Sequence, residues 1–111
     1  VDVADLSAPS LQEPIGAAQL LINTTSVGMG GKGELPLPWE AVGPGHVVCD
    51  IVYRPLKTHL LHKAEARGCK TVGGLGMLIH QGNLSFKLWT GHEFPLHLVR
   101  SALVTHLEKD G

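Results

Sequence analysis

The sequence lacks any long run of apolar residues. Its apolar fraction is 43%, an ordinary value for a globular protein, yet no stretch approaches the roughly 20 consecutive apolar residues that a membrane-spanning helix needs. We therefore expect no membrane among its partners. With 111 residues, the chain has room for one small core and too little for two domains.

Charge of one sign is also scarce. Lysine and arginine total 9 and aspartate and glutamate total 10, so the formal net charge is -1. A field this weak would not hold the phosphate backbone of a nucleic acid. We therefore expect no nucleic-acid partner.

Cysteine is rare, and metal-ligand patterns are missing. Cys49 and Cys69 form no CxxC pair, so neither a disulfide framework nor a zinc knuckle is indicated, and a cytoplasmic location is expected. His59 and His62 are three residues apart, but no carboxylate or cysteine joins them in a recognised ligand spacing. We predict no metal site.

The chain begins at Val1 without an initiator methionine, a basic segment or an apolar leader. We therefore expect that it continues a longer protein.

Three short apolar segments are predicted to be strands. Residues 20–27 and 46–53 are apolar and β-branched, and each predicts a buried strand that ends in polar residues. Residues 70–72 predict a third strand. The segment 28–44 between the first two is too rich in glycine and proline for regular structure.

Helices are predicted between and after these strands. Thr58 is a plausible N-cap for a helix through Arg67. Residues 77–89 are apolar around most of a helical circumference, which predicts deep burial, and Gly91 should end that helix. Pro95 suits the first turn of a last helix.

Strands that alternate with helices predict an α/β fold with a parallel sheet and flanking helices. The pattern resembles half of a doubly wound sheet. Because three strands would leave an apolar edge open, we expect the other half of the sheet upstream.

A glycine motif follows the first predicted strand, but the residues after it do not fit the function that its spacing suggests. Residues 28–33 match G-x-G-x-x-G, the dinucleotide-binding spacing. In that motif the third glycine lies in a helix whose N-terminus faces the pyrophosphate, but Pro36 and Pro38 prevent a helix here. We interpret the segment as a loop.

Four blocks, in order and spacing, resemble the shikimate dehydrogenase family. The resemblance implies the C-terminal half of a Rossmann-like doubly wound sheet, with residues 1–111 as a partial nucleotide-binding domain. The blocks are Ile22–Met29, Asp50–Thr58, Gly74–Gln81, and Phe86 with Trp89–Gly91, within a match that runs from about Leu20 to Leu107.

Enzymes of this family are oxidoreductases of aromatic amino acid biosynthesis. They reduce 3-dehydroshikimate to shikimate with NADPH. Their N-terminal domain holds the substrate and supplies a catalytic lysine and aspartate, and this chain contains neither motif. The resemblance therefore implies no catalytic residue here and an inactive fragment when the chain is alone. A homodimer is a further partner that the sequence leaves open.

The resemblance also assigns binding residues. Tyr53 and Gln81 correspond to substrate contacts, and Ile51 and Gly74 to cofactor contacts. The remaining positions, on the nicotinamide side of the cleft, are Thr24, Thr25 and Met77.

For two of these residues, a purely structural role is an alternative to ligand binding. Gln81 lies on an otherwise apolar helical stripe, and a buried amide needs a partner, which a nearby backbone carbonyl would also provide. Tyr53 would equally serve as a packing residue. The family match favours the ligand interpretation for both.

Two other functions stay open at this point. One is an NAD-preferring quinate/shikimate dehydrogenase, because the residues that distinguish NAD from NADP belong to the expected upstream half. The other is a non-catalytic binding module, which we prefer least because half a sheet would be marginally stable.

Overall fold

A computed structural model describes residues 2–6 and 9–110 as a three-stranded parallel sheet with helices. The sheet order is β1-β2-β3. This arrangement confirms the predicted α/β fold. The strands are β1 (Leu20–Asn23), β2 (Val47–Asp50) and β3 (Lys70–Val72), and the α-helices are α1 (Gln12–Ala17), α2 (His59–Ala66), α3 (Leu75–Thr90) and α4 (Leu96–Asp110).

The strand register brings the carboxyl ends of β1 and β2 together. Asn23 lies opposite Asp50, and Cys49 lies opposite Val72 on the third strand. Both β1 and β2 are shorter than the predicted segments, because residues 24–27 form a turn and residues 51–53 leave the sheet. In α/β sheets this end is where ligands bind.

Helix α2 begins at the predicted N-cap and ends one residue before the predicted end. The Thr58 side chain accepts a hydrogen bond from the Leu61 amide, which satisfies one of the free amides of the first turn. Beyond the helix, Gly68 has a φ of 82°, a conformation that favours glycine. Leu61 and Ala64 pack with Val48 and their neighbours in the main core.

Helix α3 is less buried than the sequence predicts. Leu75 and Ile79 pack with Leu107 of α4 in a second apolar cluster. On its opposite side, however, Leu84 is 64% exposed and Leu88 is 86% exposed. The prediction of deep burial is therefore wrong, because no described element covers that side. Gly91 ends the helix with a φ of 76°, as predicted.

Two further differences concern the first part of the chain. Helix α1 was not predicted. The first strand was predicted to be buried, yet Leu20 and Ile22 are each 52% exposed, because they share the more open face of the edge strand β1. Within the described residues, no helix is both long enough and apolar enough to cross a membrane.

The glycine-rich segment contains no helix of the dinucleotide-binding kind. Short 3-10 turns occur at Met29–Gly31 and Trp39–Ala41, with irregular chain between them. Glu34 ties this segment to α2 through ion pairs with Lys63 and His59.

Candidate functional site

A cavity of about 410 Å³ lies beyond the carboxyl ends of β1 and β2. Its volume falls in the range of small-molecule pockets, roughly 300–1,000 Å³. Three separate segments of the chain build it, and its walls combine apolar side chains with a few polar ones. The lining residues are Thr25, Met29, Ile51, Val52, Tyr53, Arg54, Gly74, Met77, Leu78 and Gln81.

The junction between β2 and α3 forms one wall through a close backbone contact. A Cβ atom added to Gly74 would lie 2.3 Å from the carbonyl oxygen of Ile51. The φ of Gly74 is -80°, which any residue can adopt. The glycine is therefore required by space and not by backbone conformation, and its smallness lets α3 begin directly against the strand end.

A buried polar cluster lies beneath the cavity. Asp50 is 0% exposed, and its carboxylate accepts hydrogen bonds from Asn23 Nδ2 (3.0 Å) and Thr58 Oγ1 (2.7 Å). A third bond comes from the backbone amide of Val52, at 3.0 Å from Asp50 Oδ1. These bonds satisfy the buried carboxylate without a cation, and they join β1, β2 and the start of α2.

The turn after β1 is fixed by the same cluster. Asn23 Oδ1 accepts from the Thr25 amide (3.0 Å) and from Thr25 Oγ1 (2.6 Å). The Asn23 side chain also donates to the Val27 carbonyl at 3.1 Å. The cavity wall at Thr25 is thereby connected to the buried Asp50.

Six of the seven residues assigned by resemblance line this one cavity. Thr24 does not, and it lies instead on a neighbouring apolar cavity with Leu21 and Ile22. Gln81 is exposed and not buried as expected, because the stripe on which it lies is uncovered. The six are Thr25, Ile51, Tyr53, Gly74, Met77 and Gln81.

Sequence reasoning missed the polar cluster. Asp50 and Asn23 are 27 positions apart, so no local spacing reveals the pair. The sequence does contain one signal, which is that Asp50 lies within an apolar strand segment. Because carboxylates are rarely buried without partners, its position indicates a polar partner elsewhere in the chain.

Neither thiol is activated. Burial raises the pKa of Cys49, and the nearby Asp50 charge raises it further. Burial also raises the pKa of Cys69. Across residues 2–6 and 9–110, no group of three histidine, cysteine, aspartate or glutamate side chains could hold a metal ion.

Comparisons with known proteins identify the family of the chain. The family model described as the Shikimate 5'-dehydrogenase C-terminal domain matches residues 74–104. Shikimate dehydrogenase (NADP(+)) from Thermococcus kodakarensis is 53% identical over 97 residues, which cover 87% of this chain and 35% of that protein. The chain belongs to the shikimate dehydrogenase family. It spans about a third of the length of that relative.

Solved structures extend the similarity to the fold. The Listeria monocytogenes shikimate 5-dehydrogenase in complex with shikimate and NAD superposes with a TM-score of 0.76 at 40% identity, over 85% of this chain and 33% of that one. Quinate dehydrogenase from Corynebacterium glutamicum in complex with NAD gives 0.77 at 34% identity, over 86% and 34%. The Rossmann-like prediction is confirmed.

Proposed function

We propose that this chain is the nicotinamide-binding part of an NADP-dependent shikimate dehydrogenase, which reduces 3-dehydroshikimate to shikimate. One observation carries the proposal. Thr25, residues 51–54 and residues 74–81 come from three separate segments and line one cavity at the carboxyl edge of the sheet. NADP is the preferred cofactor because the Thermococcus relative carries NADP(+) in its name.

On the cofactor side, Ile51 packs against the nicotinamide ring and Gly74 approaches it with its backbone. The missing Cβ at Gly74 supports this role, because the strand end and the helix start leave no space for a side chain. Met77 and Thr25 complete this side. Thr24 is the assigned residue with the least geometric support, since it lies on another cavity.

On the substrate side, Tyr53 and Gln81 bind the hydroxyl or carboxylate end of the substrate. The exposed Gln81 amide offers both donors and an acceptor to a polyhydroxylated acid. Tyr53 is half-buried against the second apolar cluster. That packing would hold the Tyr53 ring in place while its hydroxyl makes a hydrogen bond to the substrate.

The nicotinamide, when bound, supplies or accepts the hydride. The residues of this chain bind the ring, orient it, and exclude water with apolar side chains such as Val52 and Leu78. The family's catalytic lysine and aspartate are not supplied by this chain, so we expect it to be inactive alone.

A chimera tests the proposal. The chain would replace the matching 97 residues of the Thermococcus kodakarensis enzyme, and shikimate-dependent reduction of NADP+ would be followed by absorbance. We expect an active chimera, while the chain alone gives no turnover. A folded chimera without activity, beside an active host enzyme, would overturn the proposal.

Matched variants in the chimera test the substrate side. Gln81→Ala and Tyr53→Phe should each raise KM for shikimate about 10-fold or more with a smaller change in kcat, since each removes a hydrogen bond to a polar or charged ligand group. Gln12→Ala, an exposed glutamine on α1, is the control and should leave both constants unchanged. Equal behaviour of the three variants would remove these two residues from the site.

A quinate/shikimate dehydrogenase that prefers NAD is the second candidate. The similarity to the NAD complex of quinate dehydrogenase from Corynebacterium glutamicum favours it. Supplying quinate to the chimera and to the host enzyme separates the two, because both contain the host's substrate domain: quinate turnover that is gained only in the chimera would favour the second candidate. Because the adenosine half comes from the host, we expect the chimera to keep the host's preference for NADP.

A further inference from the structure

The side chain of Asn23 can take only one orientation. It is buried, and its amide makes four hydrogen bonds. Nδ2 faces two groups that only accept, the Val27 carbonyl and the Asp50 carboxylate. Oδ1 faces the backbone amide of Thr25, which only donates. If Oδ1 and Nδ2 were exchanged, Oδ1 would face two acceptors, the Val27 carbonyl and the Asp50 carboxylate, and Nδ2 would face the Thr25 amide, which is a donor.

Asp50 reinforces this orientation from the buried side. Its oxygens receive bonds from Asn23, from the Val52 amide and from the Thr58 hydroxyl. The carboxylate therefore acts only as an acceptor. An amide in its place would have one acceptor oxygen instead of two, so it could not accept all three bonds.

The orientation of Asn23 fixes the polarity of the Thr25 hydroxyl. Thr25 Oγ1 lies 2.6 Å from Asn23 Oδ1, so the hydroxyl proton is committed to that bond. The same oxygen accepts from the Val27 amide at 3.1 Å. A hydroxyl has one proton and two lone pairs, so what remains at this exposed, cavity-lining residue is one lone pair.

We propose that Asp50 and Asn23 are positioning residues that make Thr25 a dedicated hydrogen-bond acceptor in the cavity, and that this acceptor binds the carboxamide N–H of the nicotinamide. The carboxamide carries the only N–H donors on the nicotinamide ring, and the adjoining walls at Ile51 and Met77 are apolar. The inference rests on the proposed function and adds to it the group that Thr25 recognises.

The test compares two ligands that differ only at that group. The chain is titrated with nicotinamide mononucleotide and with 3-acetylpyridine mononucleotide, in which an acetyl group replaces the carboxamide and has no N–H. Binding is followed by amide NMR spectra. We expect the carboxamide ligand to bind about 3- to 10-fold more tightly, the effect of one neutral hydrogen bond.

Variants then locate the acceptor. Thr25→Val should abolish the difference between the two ligands, Thr25→Ser should restore it, and the matched control Thr105→Val, at an exposed position on α4, should leave it unchanged. Asp50→Asn should also reduce the difference, because Asn23 then loses its charge-assisted hydrogen bond to the carboxylate and is held less firmly. Thr25 is exposed, so its variants keep the test decisive even where Asp50→Asn does not fold.

The outcomes separate this inference from the proposed function. If Thr25→Val weakens both ligands equally, the side chain supports the turn only and the inference is overturned, while the nicotinamide site stands. An unchanged difference in a folded Asp50→Asn variant would remove Asp50 from the positioning role. If the folded chain binds neither ligand, the proposed nicotinamide site fails first and the inference fails with it.

Discussion

Gly74 shows how a single missing side chain shapes the site. Because an added Cβ would lie 2.3 Å from the Ile51 carbonyl oxygen, Gly74→Ala must separate α3 from the end of β2. We expect a loss of about 1–3 kcal/mol in the free energy of unfolding, the usual cost of overpacking. Urea unfolding measures it.

Gly76 provides the control for that substitution. It lies two residues further along α3, and a Cβ there would meet nothing within 4 Å. Gly76→Ala should therefore leave stability unchanged or raise it by roughly 0.5–1 kcal/mol, the helix preference of alanine. Equal destabilisation by both variants would show that the strand–helix contact is not the cause.

The two thiols are predicted to react slowly. Burial raises the pKa of both Cys49 and Cys69, and at Cys49 the Asp50 charge adds to the effect. At neutral pH less thiolate is then present than in a free cysteine, and the thiolate is the reactive form. Alkylation with iodoacetamide, followed by mass spectrometry, should be slower in buffer than in urea. Equal rates would contradict these shifts.

At the scale of elements, Glu34 anchors the glycine-rich segment to α2. The hydrogen bond from Lys63 lowers the pKa of Glu34, with further lowering from His59. A carboxylate with a lowered folded-state pKa stabilises the fold above its unfolded pKa, and this contribution is lost as pH falls through the folded value. Glu34→Gln should therefore flatten the acid side of the stability–pH curve.

Urea unfolding between neutral and acidic pH measures that slope. Glu108→Gln, an exposed glutamate on α4, is the control and should retain the wild-type slope. Because Glu34 is at the surface, salt should also reduce the effect. A wild-type slope in Glu34→Gln would show that the ion pairs contribute nothing in solution.

Element boundaries were predictable where local chemistry determines them. Thr58 caps α2 and Gly91 ends α3 because a hydroxyl acceptor and a left-handed glycine act within a few residues. Helix α1 was missed because its six residues include Pro14 and Gly16, which are poor helix formers in short segments. The Asn23–Asp50 bond was missed because it is non-local.

At the scale of the whole molecule, burial was the least predictable property. Apolar residues on α3 indicate that something covers them, but the sequence does not say what. Within the described chain, Leu84 and Leu88 are covered by nothing and stay mostly exposed. Gln81 lies on the same stripe, which is why its predicted burial was wrong.

This exposed stripe predicts self-association of the chain. Large exposed apolar patches promote association, and Leu88 is 86% exposed. Leu88→Lys should lower the weight-average molecular mass, measured by sedimentation equilibrium at high protein concentration. It should not change the free energy of unfolding. Thr105→Lys adds the same charge at an exposed position on α4 and should not lower the mass. Equal effects of the two would attribute the change to net charge.

The way the cavity is assembled also bears on how the chain is made. Its first and last lining residues, Thr25 and Gln81, are separated by about half of the sequence, and two parallel crossovers lie between them. Such long-range pairings form slowly, because the loops must close before any contact is gained. During synthesis the cavity would therefore appear only after α3 has emerged, and ligand binding would report that its three segments have come together.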